Sequence, residues 1–345
     1  MHTKERVIMD TKNYIKLIFT VVPAVLFSLP TVANTTIYDN SIIAQNINML
    51  TDTFVSYTRN GETLSDLFTD KKFYGTMRRI DEYGDDGTTL KNNYDDDTYS
   101  DSFIKNVWAD ARHINEHAHY DNIAKRARFN IATAGATTKS INLKYGDMYF
   151  GTFAGYINSD TGHIDSNGAV GGIFAHYDFQ KIGATILADI GSLNNDSRNA
   201  KFNNFWTHVA IDTDVKFYID KTFLIQPGLS VAYTFVSSDD LSVNNNVVSS
   251  DNFNFLNLAP YVRFVKQIVP DWYGALSAKY VAHFGGDNDI YVAGTKYDGI
   301  DTDNYTDLGL DIEYKFRRFV FDGGVHKQIG GFDGWSGNIT LKYQF

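Results

Sequence analysis

Residues 338–345, NITLKYQF, alternate without a break: Ile339, Leu341, Tyr343 and Phe345 fall on one side, and Asn338, Thr340, Lys342 and Gln344 on the other. Successive side chains of a strand point to opposite faces, so this run is a strand with one apolar and one polar face. The device repeats upstream. Leu308, Leu310, Ile312, Tyr314 and Phe316 oppose Gly309, Asp311, Glu313 and Lys315. Ile225, Leu229, Val231, Tyr233 and Phe235 oppose Gln226, Ser230 and Thr234, and Val209, Ile211, Val215 and Phe217 oppose His208, Asp212, Asp214 and Lys216. Pro227 and Pro260 fall inside such runs and fit there only at bulges or strand starts.

From Phe103 onward the period stays at two, and strands are expected at 103–114, 126–142, 147–158, 168–179, 182–193, 205–218, 223–236, 255–267, 272–284, 305–316, 318–330 and 335–345. Tight turns at Lys144–Gly146, Gln180–Lys181, Asp220–Lys221, Val269–Pro270 and Arg317 alternate with longer connections at 115–125, 159–167, 194–204, 237–254 and 285–304. Alternation alone leaves open whether the apolar rows form a soluble core or meet lipid. The even strand count and the short-turn, long-loop rhythm favour lipid, and Tyr218, Trp272 and Tyr273 lie at strand ends, where interfacial aromatics belong.

Composition agrees. The chain is 15% aromatic and 21% charged, with mean hydropathy of -0.28 and no window near the length of an apolar spanning helix. The expected fold is therefore all-β, a twelve-stranded antiparallel transmembrane β-barrel with polar rows lining its lumen. On that reading Asp212, Asp214, Lys216, Lys279, Asp311, Glu313, Lys315 and Lys342 line the pore. A formal charge of -10 argues against nucleic acid as a partner, and the absence of cysteine excludes disulfide scaffolds, thiolate metal sites and cysteine catalysis.

The N-terminus reads as an export leader. Lys12 and Lys16 precede an apolar stretch, Leu17–Phe27, and Thr31-Val32-Ala33 offers small residues for cleavage, so residues 1–33 are expected to be removed and Asn34 to begin the mature chain. Residues 34–102 form a separate short segment. Ile43, Ile47, Leu50 and Phe54 lie at helical spacing and predict an amphipathic helix over Ser41–Tyr57, followed by a polar linker with turn signals at Asn60-Gly61, Gly84-Asp85 and Asp86-Gly87.

Three kinds of constellation invite a chemical reading. His113, Glu116, His117 and His119 carry three imidazoles within seven residues, a zinc or copper set if they converge, but they fall at the end of the first expected strand and in the solvated loop after it. Asp85–Asp86, Asp95–Asp97 and Asp287-Asn288-Asp289 supply oxygen ligands without the fixed order of a calcium loop. His208, Asp212, His283 and His326 face inward and would be the acid–base set of a rim hydrolase, yet no G-x-S-x-G or H-E-x-x-H accompanies them. No catalytic, metal or cofactor site is therefore assigned, and no enzyme activity is expected.

The stretches GTFAGYINSD (151–160), AVGGIFAHYDF (169–179), FLIQPGLSVAYTFVSSDDL (223–241), SAKYVAHFGGDNDIYV (277–292), YTDLGLDIEYKF (305–316) and WSGNITLKYQF (335–345) resemble, in order, the autotransporter β-domain, the C-terminal translocator barrel of outer-membrane autotransporters. The resemblance covers about residues 103–345. It implies outer-membrane lipid as the surroundings and a helix threading the pore, for which Ser41–Tyr57 is the expected segment and 64–82, with Met77, Arg78 and Arg79, the alternative. It further implies that Tyr343 and Phe345 form a signal read by the barrel-assembly machinery, and that the barrel anchors or translocates a segment to the cell surface. The segment here is far shorter than the family's passengers and carries no solenoid repeat. The alternatives are a porin-like diffusion channel gated by its N-terminal segment and, more remotely, a barrel-borne hydrolase.

Overall fold

A computed structural model describes residues 38–69 and 103–345, apart from positions 121–122, 162–163, 180, 198–199, 239–240, 244–245, 251, 286–289, 293–294 and 298–302. The expected leader, the Asp85–Asp97 stretch, Met77–Arg79 and Asp287–Asp289 lie outside the described residues.

Twelve long strands form one closed antiparallel barrel. They are β1 (Ile104–Tyr120), β2 (Ile123–Thr138), β3 (Asp147–Thr161), β4 (Ile164–Phe179), β5 (Ile182–Ser197), β6 (Ala200–Val215), β7 (Phe223–Ser238), β8 (Phe253–Val269), β9 (Trp272–Gly285), β10 (Tyr305–Phe316), β11 (Phe319–Gly330) and β12 (Phe332–Gln344). Each pairs with its sequence neighbours, and β12 closes on β1 in the register Ala109↔Leu341, finishing with the Phe345 N–H donated to the Lys105 carbonyl at 2.9 Å. Closure leaves no edge strand to satisfy.

Burial settles which face meets what. Ile339 is 73% exposed and Leu310 49%, whereas Glu313, Thr340 and Lys342 are almost wholly covered. The polar rows point inward and the apolar rows outward, the reverse of a soluble core, so the wall is built for lipid.

The strands of the first half run further than their alternation suggests. Stretches expected to be loops, 115–125, 159–167 and 194–204, are mostly ladder, because β1–β6 continue to within a few residues of each other. Their ends point Asn158, Asp160, Asp165, Asn167, Asn194 and Asp196 outward, so both faces are polar there and the two-residue rhythm fades from the sequence. The two longest connections, at 237–254 and 285–304, contain short ribbons: Leu241–Val243 pairs with Asn246–Ser250, Ile290–Val292 with Thr295–Tyr297, and Ser249↔Tyr291 joins them into a separate four-stranded sheet. At the other end the connections after β4, β8 and β10 are tight, while those at 139–146 and 216–222 are longer. Asp271 and Arg317 take positive φ of 67° and 56°, the conformation that two-residue hairpins demand.

Helix α1 (Tyr38–Thr58), a turn at Arg59–Gly61 and the short α2 (Asp66–Thr69) lie within the barrel. The helix is a little longer than the expected Ser41–Tyr57, and about 31 Å of rise carries it through a bilayer's depth. Asn46 bonds to Thr161 at the loop end, and Gly61 accepts from Lys105 and Asn106 at the tight-turn end, which gives the helix its direction.

Candidate functional site: the plugged lumen

Most of a helix's stability in a protein comes from the packing of its faces, and lumenal packing is what holds α1. From Asn46 to Thr58 every side chain is buried or half-buried, the polar ones included. The expected apolar stripe of Ile47, Leu50 and Phe54 meets an aromatic half of the wall; the side chain of Ile43 lies outside the described residues. Phe54 stacks on Trp206 with centroids 6.4 Å apart and on Phe153 at 6.3 Å, and Tyr57 rests against Trp108 at 5.4 Å and Phe153 at 5.2 Å. Glycine makes the floor under these rings. A Cβ at Gly191 would lie 2.0 Å from Trp206, and one at Gly135 2.3 Å from Trp108, so the indoles lie flat on the neighbouring backbone only because those positions are glycine.

The opposite half of the lumen is polar and meets the helix through hydrogen bonds. Asn48 and Asn257 donate to each other at 3.3 and 2.8 Å, with His283 Nδ1 3.1 Å from Asn48. Thr51 bonds to Thr234 at 3.1 Å, Arg112 donates to Thr53 and Ser56, and Asp52 accepts from Tyr305 at 2.7 Å while pairing with Lys279 at 3.3 Å. Below the helix, Arg59 sits 4.8 Å over the Tyr261 ring and 3.8 Å from Asp212, which also accepts the Tyr261 hydroxyl at 2.9 Å.

At the tight-turn end charges clamp the following residues. Lys216 donates to Glu62 at 2.7 Å and to Asp178 at 2.9 Å, and both Glu313 oxygens accept backbone N–H groups, from Leu64 at 2.7 Å and Ser65 at 2.9 Å. Lys105 pairs with Asp66 at 2.9 Å, while Leu64, Leu67 and Phe68 pack on Leu224, Val265, Tyr273 and Ala275. Burial raises the Asp66 carboxyl, but Lys105 and the Thr63 N–H outweigh it and hold it below the ordinary carboxylate value. In the turn at the same end, the Thr222 backbone and hydroxyl likewise lower Asp220.

The inward-facing residues read from the sequence are thus distributed over two jobs. Asp212, Lys216, Lys279 and Glu313 touch the N-terminal segment. Asp311 bonds to His326 at 3.4 Å, and Asp311 and Lys342 line a polar cavity of about 130 Å³ left between α1 and the wall, with Arg263, Asp322 and Gln328. Asp214 is buried beside Lys216 on the same row, and Lys315 is half-buried near the mouth. The sequence offered 64–82 only as an alternative to the helix, whereas Glu62–Phe68 follow α1 as part of the same plug, and the aromatic half of the lumen was not foreseen. The available signal was the set of glycines placed across from inward-facing rings.

No family model matches the chain, and no curated protein matches it in sequence. Solved structures do. The transport unit of the autotransporter AIDA-I from Escherichia coli aligns with a TM-score of 0.61 at 15% identity over 72% of this chain and 93% of that one. The β domain of the Bordetella autotransporter BrkA aligns at 0.57 and 13% identity, covering 71% and 100%, and the translocator domain of NalP from Neisseria meningitidis at 0.55 and 12%, covering 72% and 90%. The fold is that of an autotransporter translocator domain.

Within this translocator-type barrel the chemical constellations come apart. The His113–His119 stretch is not a loop but part of β1, and the strand turns His113 and His117 outward while Glu116 is buried inside. His113 Nδ1 lies 2.8 Å from Asn130, and among the described residues no cluster of His, Asp and Glu is arranged to hold a metal. His208 bonds to Asp189, His283 to Asn48 and Asn257, and His326 to Asp307 and Asp311, so these histidines and Asp212 share no common partner.

Proposed function

We propose that the chain is an outer-membrane barrel that carries its own N-terminal segment through the pore and presents it at the cell surface. The observation that supports this reading is the direction of α1, with Asn46 bonded at the loop end and Gly61 at the tight-turn end. Short turns face the periplasm and longer loops the exterior in outer-membrane barrels, so residues before Asn46 emerge outside. The plug leaves the lumen at the periplasmic mouth where β1 begins, because Asp66 pairs with Lys105 there. On this account residues 1–33 are a cleaved leader. Tyr343 and Phe345, whose rings meet edge-on at 5.1 Å on the outer wall beside the closing strand pair, are the signal met by the barrel-assembly machinery.

The intact mass of the mature protein from isolated outer membranes, with a search of the medium for fragments of residues 34–102, tests the reading. An uncut chain with its N-terminus reached by protease on intact cells means a displayed anchor, and a fragment in the medium means release. An N-terminus shielded in intact cells and absent from the medium rejects display.

A second reading, a diffusion channel gated by α1, draws on the polar cavity between helix and wall. It requires steady conductance in a planar bilayer that rises several-fold when residues 38–69 are deleted. Silence in both forms removes it.

A further inference from the structure

The outer surface of β11, β12, β1, β2 and β3 holds a feature that the plugged lumen does not use. Cross-strand register places outward side chains there in rows that run square to the tilted strands. The lowest row is apolar: Gly323, Ile339, Ala111, Ala132 and Tyr156. One step towards the loop end come Val325, Gly337, His113, Asn130 and Asn158, and the same row continues as Asn167, Asn194 and Asn203 on the next three strands. Above it stand Lys327, Trp335, Asn115, Arg128 and Asp160, with Arg126 a further step up. Small side chains at 111, 132, 323 and 337 make the wall sink, and the result is a groove of about 710 Å³, edged by Tyr156, Val325 and Ile339.

We propose that this groove seats a phosphorylated glycolipid of the outer leaflet. An acyl chain fills the apolar trough. The amides of Asn130 and Asn158 meet the sugar at the depth where the wall turns from apolar to polar, and Arg126 and Arg128 meet the phosphate. Charge favours this side of the barrel: Arg126, Arg128 and Lys327 outnumber Asp160 and Asp333, whereas the same row continues as Asp165 and Asp196 on β4 and β5, with Lys201 on β6 as their one cation. The Arg126 Nε donates to Asn115 at 3.0 Å, and Arg128 lies 3.6 Å from Asp160 in a pair that is about half exposed and open to exchange for a doubly charged phosphate. A second copy of the chain fits less well, since two concave faces related by a two-fold axis would enclose a void. The inference rests on the loop end lying outside the cell.

Binding to the full-length protein in detergent micelles tests it, read by native mass spectrometry with three probes: lipid A carrying two phosphates, the same lipid dephosphorylated, and inorganic phosphate. The double variant Arg126→Gln/Arg128→Gln removes the charge. Gly337→Leu fills the trough, and its first added carbon meets only the Gly324 carbonyl at 3.4 Å, so the barrel tolerates it. Lys201→Gln, across the barrel wall, is the control, and heat-modifiable migration on gels confirms folding of each variant. The phosphorylated lipid is expected to bind about tenfold more weakly to either test variant than to the parent or the control, and the dephosphorylated lipid about tenfold more weakly to the parent. Equal binding across the variants, or equal binding of the dephosphorylated lipid, overturns the proposal. So does inorganic phosphate binding as well as the lipid, or a dimer that Gly337→Leu abolishes. If the protein instead fractionates away from the outer membrane, the functional reading fails separately from this binding result.

Discussion

Phe54 is the residue on which the plug turns, because it lies between Trp206 and Phe153 while Tyr57 extends the contact to Trp108. Phe54→Ala opens a cavity that the barrel wall cannot collapse to fill, and the expected loss is about 3–5 kcal/mol of helix docking. Faster hydrogen exchange across residues 46–58, with barrel strands unchanged, is the measurement that checks it. Gly191→Val acts on the same cluster from beneath: its side chain occupies the space of the Trp206 indole, displaces the ring and undocks Phe54. Protease access to residues 59–69 should rise in that variant and stay at the parental level in Gly323→Ala, whose Cβ meets nothing nearer than 3.6 Å. At this scale the sequence revealed the face of each residue but not its partner. Parity alone put Lys216 and Glu313 in the lumen, whereas nothing local to them announces Glu62 or the Leu64 and Ser65 amides that they hold.

At the scale of elements, legibility followed the surroundings of each strand. β10 and the part of β12 from Trp335 were read closely because their outward rows are apolar, as in Leu308, Leu310 and Ile312, whereas β12 begins earlier, at Phe332, where the outward residue is Asp333. β3 to β6 were read short, since Asn and Asp replace the apolar row near the loop end while the backbone ladder continues. Helix α1 was found by its apolar stripe, yet its polar face is bonded rather than solvated, which spacing does not disclose. The α2 mouth contact carries a pH prediction. Asp66 has its pKa lowered in the fold, so its stabilisation is complete above the ordinary carboxylate value, about 4, and is lost as pH falls through the depressed value. Protection of the amides at 62–68 should be flat from pH 5 to 8 and fall only in stronger acid. Protection that declines near neutrality would remove the Lys105–Asp66 pair as the clamp. At the other terminus of the fold, Phe345→Ala deletes an exposed lipid-facing ring beside the closing strand pair, and slower appearance of the heat-modifiable folded form in cells is the expected outcome.

The whole molecule is an inside-out barrel with a directed helix in its lumen. Its wall orientation was favoured in the sequence by the even strand count and the loop rhythm, and burial removed the ambiguity that alternation leaves. Its topology follows from α1: the chain enters the lumen from the loop end, leaves at the tight-turn end and begins β1 there. The chain has no cysteine, so single cysteines report on that topology without background. The most direct test labels intact cells with a membrane-impermeant maleimide, comparing Thr36→Cys, upstream of the helix, with Lys144→Cys in a tight turn. Thr36→Cys is expected to react on intact cells, or in a fragment shed to the medium, while Lys144→Cys is expected to react only after the outer membrane is opened. Thr36→Cys that reacts only in opened cells, or Lys144→Cys that reacts in intact ones, contradicts this topology.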